Sequence, residues 1–427
     1  MGPSPVTPPP ILLLQFLNLL VGFASYLNVT LANQVWNGAD WNASQIGCAL
    51  TLSSLCYAVP VSLGGWLADR WGRARTSFLG AAVGAVACIV AWSATSPDVI
   101  VGATMATMLG AAFFFPGCAG LFSDSEGAAP GRAPMALHTK VSRYNLGWSF
   151  GNLAGFLASG VLAHQSAEVG YLCSTAAFLI ACAILVRWLR LQPQPPLRQG
   201  DRSAHPSLPI LTWMCRGSLL FACVVGLALI ALIERAVPRA AGVDPHAVAA
   251  VALSCYSAGY VAMFLLLGSW SGWIMRPWRL WAIQLCLVAG SVGVYLLGHA
   301  SSPSIIALGV CGALLGLGYG ATYTGSIYYS MRLPEGAARA VSLHETFLGV
   351  GNTLGPILGG LAMELVATGA LVIPVPGGSD IAAPLITAFD SRMSGLALFM
   401  AVCAIACLLL QAILIPRARR MGGTIPD

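Results

Sequence analysis

The chain has 427 residues, of which 57% are apolar and only 8% charged, with a net charge of +6 and a mean hydropathy of +0.78. A water-soluble domain carries roughly a quarter charged residues, so this composition excludes one, and the basic residues sit in short breaks between apolar runs rather than in a nucleic-acid-binding patch. The 13 cysteines are odd in number, form no CxxC and in part fall inside apolar runs, where thiols behave as small hydrophobes; neither a disulfide, a metal site nor a cofactor is expected.

A helix crossing a bilayer's hydrocarbon core needs roughly 20 mostly apolar residues. In chain order such stretches run over 11–34, 43–68, 76–95, 98–122, 137–163 and 169–189, then over 210–233, 246–270, 280–298, 304–330, 340–366 and 392–415. The opening MGPSPVTPPP has no basic region of the kind that precedes a cleaved signal, so the first stretch is expected to persist as a helix. Between the two sets of six, residues 191–209 combine prolines and charges without an apolar period. This divides the chain into an N-terminal lobe, 1–190, a linker, 191–209, and a C-terminal lobe, 210–427. Placing the N-terminus in the cytoplasm puts sixteen basic residues inside, Arg216 among them, three outside (Arg235, Arg239 and Arg392) and two, Lys140 and Arg143, within the fifth stretch. The excess of inside arginine orients both termini to the cytoplasm. Twenty arginines to one lysine, with abundant Gly and Ala, suit a GC-rich bacterial genome, and hence an inner membrane.

The two halves repeat each other. GNLAGFLASG (151–160) in the fifth stretch recurs as GNTLGPILGG (351–360) in the eleventh, preserving Gly151, Asn152, Gly155 and Gly160 at an offset of 200. Ser54, Tyr57, Gly65 and Arg73 recur as Ser257, Tyr260, Gly268 and Arg276 at an offset of 203. Parallel six-helix repeats place a pathway between them, since two bundles rocking about a shared mid-depth site expose it alternately to each side.

After the second stretch the sequence reads GGWLADRWGRART (64–76). Gly65, Leu67, Asp69, Arg70, Gly72, Arg73 and Arg75 fit the series found at this place in the major facilitator superfamily, which the chain resembles over its whole length. The resemblance implies an all-α integral membrane fold, with twelve transmembrane helices in two six-helix bundles related by a pseudo-two-fold axis along the membrane normal. It also implies secondary active transport and a cytoplasmic latch built on Gly65, Asp69, Arg70, Gly72 and Arg73, with Asp124 as partner. The C-terminal copy has Gly272 where the acid would stand, so the latch is expected on one side only. The proton-coupled drug exporters of the family carry an Arg where Ala106 stands here and a Gly-Pro pair where Gly155 and Phe156 stand, which argues against a typical drug antiporter.

Polar groups facing lipid are costly, so Gln15, Asn18, Tyr26 and Asn33, on one face of the first helix, are expected to line a central cavity with Asn152, Asn352, Tyr319 and Tyr323. Lys140 and Arg143 would attract an anionic group or form a cytoplasmic gate. Glu345, beside His344, could load and release a proton, whereas Glu234 and Glu364 are expected to be solvated. No HExxH occurs and the His344–Glu345 neighbours lack a second cluster, so the chain is not expected to be an enzyme. The expectation is a monomeric secondary transporter, in the lipid bilayer, of a polar or anionic small molecule, working by alternating access with proton coupling. The alternatives are amphiphile efflux and a non-transporting receptor on the same scaffold.

Overall fold

The computed structural model describes residues 9–125, 135–162, 166–190, 205–236, 244–298, 304–333, 337–370 and 388–422. The linker over 191–204 and Arg132, Arg198, Arg202 and Arg239 therefore lie outside the described residues. Among the described residues thirteen α-helices follow in order: α1 (Ile11–Gly38), α2 (Ala43–Ala58), α3 (Val61–Trp71), α4 (Arg73–Trp92), α5 (Pro97–Ser125), α6 (Leu137–Leu162), α7 (Ala167–Val186), α8 (Leu208–Ala236), α9 (Pro245–Ser269), α10 (Pro277–Gly298), α11 (Ile305–Arg332), α12 (Ala337–Ala367) and α13 (Ala388–Gly422).

The second apolar stretch forms two helices rather than one. Pro60 has no amide hydrogen and its ring crowds the turn before it, so α2 ends at Ala58 and α3 restarts with Gly64 donating to the Pro60 carbonyl. Among the described residues, eleven spans are long and apolar enough to cross a membrane, α2 and α3 together making one of them. The twelfth crossing is α6. Its 26 residues reach about 39 Å at 1.5 Å per residue, but Lys140, Arg143, Asn145 and Asn152 dilute its apolarity. It packs between α1 and α9, where such groups meet protein instead of lipid. The outer surface of the bundle is apolar: Ile306 is 80% exposed, Leu12 78% and Val59 72%, side chains that a bilayer covers.

The duplicated glycines explain how each lobe closes on itself. A methyl group at Gly151 would strike the Leu19 carbonyl of α1, and one at Gly351 the Leu220 carbonyl of α8. Gly155 likewise meets the α1 backbone at Phe23 and Leu27, and Gly355 the α8 backbone at Val224 and Ala228. The last repeated glycine faces the other lobe instead. Gly160 lies against Ala250 of α9, and Gly360 against the Ala43 carbonyl of α2. One ten-residue string thus makes an intralobe contact with its first half and an interlobe contact with its end, in both copies. The chain folds as two six-crossing bundles related by a pseudo-two-fold axis, joined by two symmetry-related pairs, α2 with α12 and α6 with α9.

These pairs stay in contact along their length. At the end away from the Asp69–Arg73 turn, Glu364 Oε1 accepts from the Ala43 amide (3.0 Å) and Gly160 lies against Ala250, while beside these pairs Asn33 Nδ2 of α1 donates to the Ile230 carbonyl of α8 (3.1 Å). At mid-depth, Thr51 Oγ1 donates to the Thr353 carbonyl (2.8 Å). Toward the arginine-rich end, Ser142 Oγ donates to the Phe264 carbonyl (2.7 Å) and Thr139 Oγ1 to that of Gly268 (3.0 Å).

Three charged residues are placed differently from the sequence expectation. Glu364 does not project into solvent but accepts at the N-terminus of α2, where orphan amide donors favour a carboxylate. Glu234 is 9% exposed and lies 3.1 Å from His246 Nδ1, since the end of α8 abuts the start of α9. Arg216, expected in an inside connection, sits within α8 and is 1% exposed, with Nε donating to Ser330 Oγ (3.2 Å) and its guanidinium 5.3 Å from the Trp213 ring. A single arginine in an apolar run reads as a boundary; only the packing of α8 against α11 shows it to be an interior group.

Candidate substrate and coupling site

The seam between the lobes concentrates aromatic side chains. Of the eleven tyrosines in the chain, seven gather here: Tyr26, Tyr57 and Tyr144 from the N-terminal lobe, and Tyr256, Tyr260, Tyr319 and Tyr323 from the other. Helical geometry delivers them in pairs four residues apart on α9 and on α11, stacking one ring above the next on the face toward the seam. Tyr256, Tyr260, Tyr319 and Tyr323 form one chain of rings with centroids 5.3–5.9 Å apart. Trp148 of α6 reaches across the seam and lies 5.6 Å from Tyr260, 5.5 Å from Phe264 and 5.3 Å from Tyr323. Each such pair contributes about 0.5–1.5 kcal/mol beyond the area it buries, so the aromatic contacts help hold the lobes together.

Polar groups punctuate this apolar setting. Ser257 Oγ donates to Tyr260 Oη (2.6 Å), and the Asn152 side chain lies against the hydroxyls of Tyr26 and Tyr260. Asn152 is 1% exposed, yet its Oδ1 has no partner; Trp148 Nε1 and Asn352 Oδ1 are likewise buried without one.

The carboxyl of Glu345 sits on the same α12 face as Asn352, two helical turns away, and Oε2 accepts a hydrogen bond from Tyr57 Oη across the seam (3.1 Å). Tyr144 and Tyr323 are within its electrostatic reach. Glu345, Tyr57, Tyr26, Tyr144 and Asn352 are half-buried, whereas the rings of the α9 and α11 tyrosines are sealed. The carboxyl thus sits at the margin of the sealed rings, held by a tyrosine of the opposite lobe. His344, its neighbour, points the other way, fully buried inside the C-terminal lobe. Its Nδ1 lies 2.8 Å from Ser326 Oγ, and its ring is edge-on to Tyr323 at 4.9 Å. His344 and Glu345 thus have different hydrogen-bond partners, although they are adjacent in sequence and both lie near Tyr323.

The structure brings together Tyr26, Asn152, Tyr319, Tyr323 and Glu345, with Asn352 two turns along α12 from Glu345, but leaves other expected residues elsewhere. Gln15 Nε2 donates to the Arg143 carbonyl (3.0 Å) near the arginine-rich end. Asn18 is fully buried against Gly147, between α1 and α6, and serves the packing of its own lobe. Arg143 is exposed and Lys140 half-buried, both in the first two turns of α6. Sequence reasoning misses Tyr57, Trp148 and Tyr260 as site residues. The repeat that pairs Tyr57 with Tyr260, and the one-turn spacing of Trp148 and Asn152, are the signals that could have found them.

At the turn between α3 and α4, Gly72 takes φ 118°, a conformation that L side chains rarely adopt. Close helix approach falls to Gly64, where a methyl group would strike the Ala112 carbonyl of α5, rather than to Gly65, whose nearest neighbour would be 4.0 Å away. Asp69, 61% exposed, lies 3.8 Å from Arg73, which also donates to the Gly120 carbonyl (3.0 Å), while the Arg70 guanidinium covers the Trp66 ring at 4.6 Å. The side chain of Asp124 lies outside the described residues. The string GWSFG (147–151) has the spacing of a nucleophile turn, but it is helix interior: Ser149 is fully buried and donates to the Leu146 carbonyl.

Comparison with solved structures finds the same fold. The nucleoside transporter NupG superposes with a TM-score of 0.64 at 13% identity, covering 96% of this chain and 99% of its own. A bacterial homolog of the human lysosomal transporter Spinster, inward-facing and occupied, gives 0.66 at 18%, covering 96% of each chain. The peptide transporter POT in complex with sulfate gives 0.66 at 14%, covering 96% of this chain and 94% of its own. No curated protein sequence matches the chain. The sequence profile described as Major Facilitator Superfamily matches residues 11–356. With its duplicated six-crossing lobes and an aromatic seam between them, the chain is a multi-pass membrane transporter, not an enzyme, and belongs to the Major Facilitator Superfamily.

Proposed function

We propose that this transporter moves a small polar organic solute through the seam by alternating access, coupled to protons at Glu345. The observation that carries the reading is the Tyr57–Glu345 hydrogen bond, a carboxyl on one lobe held by a hydroxyl of the other. A hydrogen bond to an ionised carboxylate is roughly twice as strong as one to a neutral group. Loading a proton on Glu345 therefore weakens the tie between α2 and α12, and releasing the proton restores it. That gives proton binding a different free energy in the two conformers, the requirement for coupling.

In this reading the arginine-rich end and both termini face the cytoplasm, in the inner membrane of a bacterium, with the protein acting as a monomer. Gly72 and the Asp69–Arg73 pair brace the α3–α4 turn that latches that side, and Lys140 and Arg143 flank its gate. The aromatic lining also suits an amphiphile, as an exporter would need, but the unpartnered Asn152, Asn352 and Trp148 groups favour a solute that hydrogen-bonds.

The test is transport in proteoliposomes, using a solute identified by thermal-shift screening at two pH values. Glu345→Gln keeps the shape and a hydrogen-bonding group but cannot ionise. Proton-driven accumulation and solute-dependent proton flux should vanish, while counterflow between solute pools continues. Accumulation and pH dependence equal to those of the unmodified protein would remove Glu345 from coupling.

A further inference from the structure

We infer that the transported solute carries a planar, hydrogen-bonding ring without net negative charge, taken up between Trp148 and the Tyr260–Tyr323 wall. The inference rests on the reading of the seam as the transport pathway and adds the class of solute.

Three observations converge. Trp148 is the aromatic ring of α6 seated on the C-terminal lobe, and it touches Tyr260, Phe264 and Tyr323 at once, the first with an interplanar angle of 36°. Any separation of the lobes at this level pulls Trp148 off those rings and opens a slot with an aromatic surface on each side. A flat ring entering that slot restores aromatic packing to both walls in one step, which a sugar or an aliphatic chain does not.

The second observation is the set of orphaned polar atoms around the slot. Trp148 Nε1 is a donor, while Asn152 Oδ1, beside the Tyr260 hydroxyl, is an acceptor, both buried without partners. Trp148 and Asn152 are 8% and 1% exposed, respectively. A hydrocarbon ring would leave them unpaired, whereas a ring bearing both donors and acceptors satisfies them.

Charge is the third. Glu345 lies at the seam and within reach of Tyr323, so an anionic solute meets a like charge whenever that carboxyl is ionised. Of the basic groups, Arg143 is exposed, Lys140 is half-buried in the first turns of α6, and Arg216, within electrostatic reach of His344, is engaged by Ser330 and Trp213 inside the C-terminal lobe. This favours a neutral or cationic ring over the organic anion that Lys140 and Arg143 suggest from sequence.

The experiment measures binding to the purified full chain, by thermal shift and by titration calorimetry, with four ring solutes (adenine, uracil, nicotinamide and indole) and three ringless ones (glucose, glycerol and succinate). At least one hydrogen-bonding ring should bind, more tightly than indole and than every ringless solute. Trp148→Ala should weaken that binding 30-fold or more, and Trp148→Phe, which keeps a ring but loses the N–H, by about tenfold. Both variants must stay monodisperse, and Trp148→Phe keeps the test valid if Trp148→Ala does not fold. Binding only of glucose, glycerol or succinate, no binding by any ring, or ring binding unchanged in Trp148→Phe would overturn the inference. The outcome is separable from that of the coupling test: ring binding that persists beside a Glu345→Gln protein of normal accumulation would sink proton coupling at Glu345 and leave the solute class standing.

Discussion

Replacing Tyr57 by Phe removes one oxygen and leaves the ring in place, so it isolates the hydrogen bond that ties α2 to Glu345. Bonds to charged groups contribute about 1.5–3 kcal/mol when fully desolvated, and neutral ones about 1. Because Glu345 is half-buried rather than fully enclosed, the loss should fall at about 1–2 kcal/mol. That loss is confined to conformers in which the lobes meet as they do here, so the equilibrium should move away from them by ~5- to ~30-fold. Spin labels on Arg70 of the N-terminal lobe and Trp278 of the other, both exposed, in a cysteine-depleted protein, report the population by electron–electron distance measurement. The Tyr57→Phe protein should show a redistributed distance profile at a pH that keeps Glu345 ionised, and a smaller departure from the parent profile once Glu345 is protonated and the lost bond is one between neutral groups. An unchanged profile at both pH values would show that the bond does not bias the lobes and would undo the coupling argument.

Other expectations follow from the same contacts. Asp69→Asn removes an exposed partner 3.8 Å from Arg73; exposed pairs contribute at most about 1 kcal/mol, so thermal stability should hold while turnover falls and solute affinity stays, and a large affinity loss with normal turnover would refute the latch role. Gly316→Ala places a methyl group on the Tyr256 backbone within the C-terminal lobe, so it should lower thermal stability by about 1–3 kcal/mol. Gly47→Ala meets the Pro356 carbonyl across the seam instead, so it should leave the fold intact and block transport; measured Tm and uptake together separate the two. Arg216→Lys keeps the charge but loses the guanidinium bond to Ser330, and should cost about 2 kcal/mol of stability; an unchanged melting temperature would show the network to be dispensable.

Much of this molecule is written in local sequence because a membrane leaves few options. Hydrocarbon admits helices of a set length whose backbone bonds are internally satisfied, so a run such as 304–330 has one reading, and it appears as α11 within two residues at each end. The repeated glycines are legible for the same reason: a helix pair that must approach closely has no substitute for a missing side chain, and the string at 151–160 and 351–360 does the same two jobs in both lobes. What a single helix cannot say is which neighbour its polar face meets. Asn18 and Tyr26 occupy one face of α1, yet one is packed against Gly147 and the other faces the seam. Arg216 resembles a boundary charge until α11 brings Ser330 to it, and Trp148 is an ordinary apolar residue until α9 and α11 supply three rings from another lobe. Hydropathy and spacing measure what a residue costs in lipid, a property of its own helix. The partner that offsets this cost stands 100 or more residues away in these cases, and it is chosen by the packing of helices against one another.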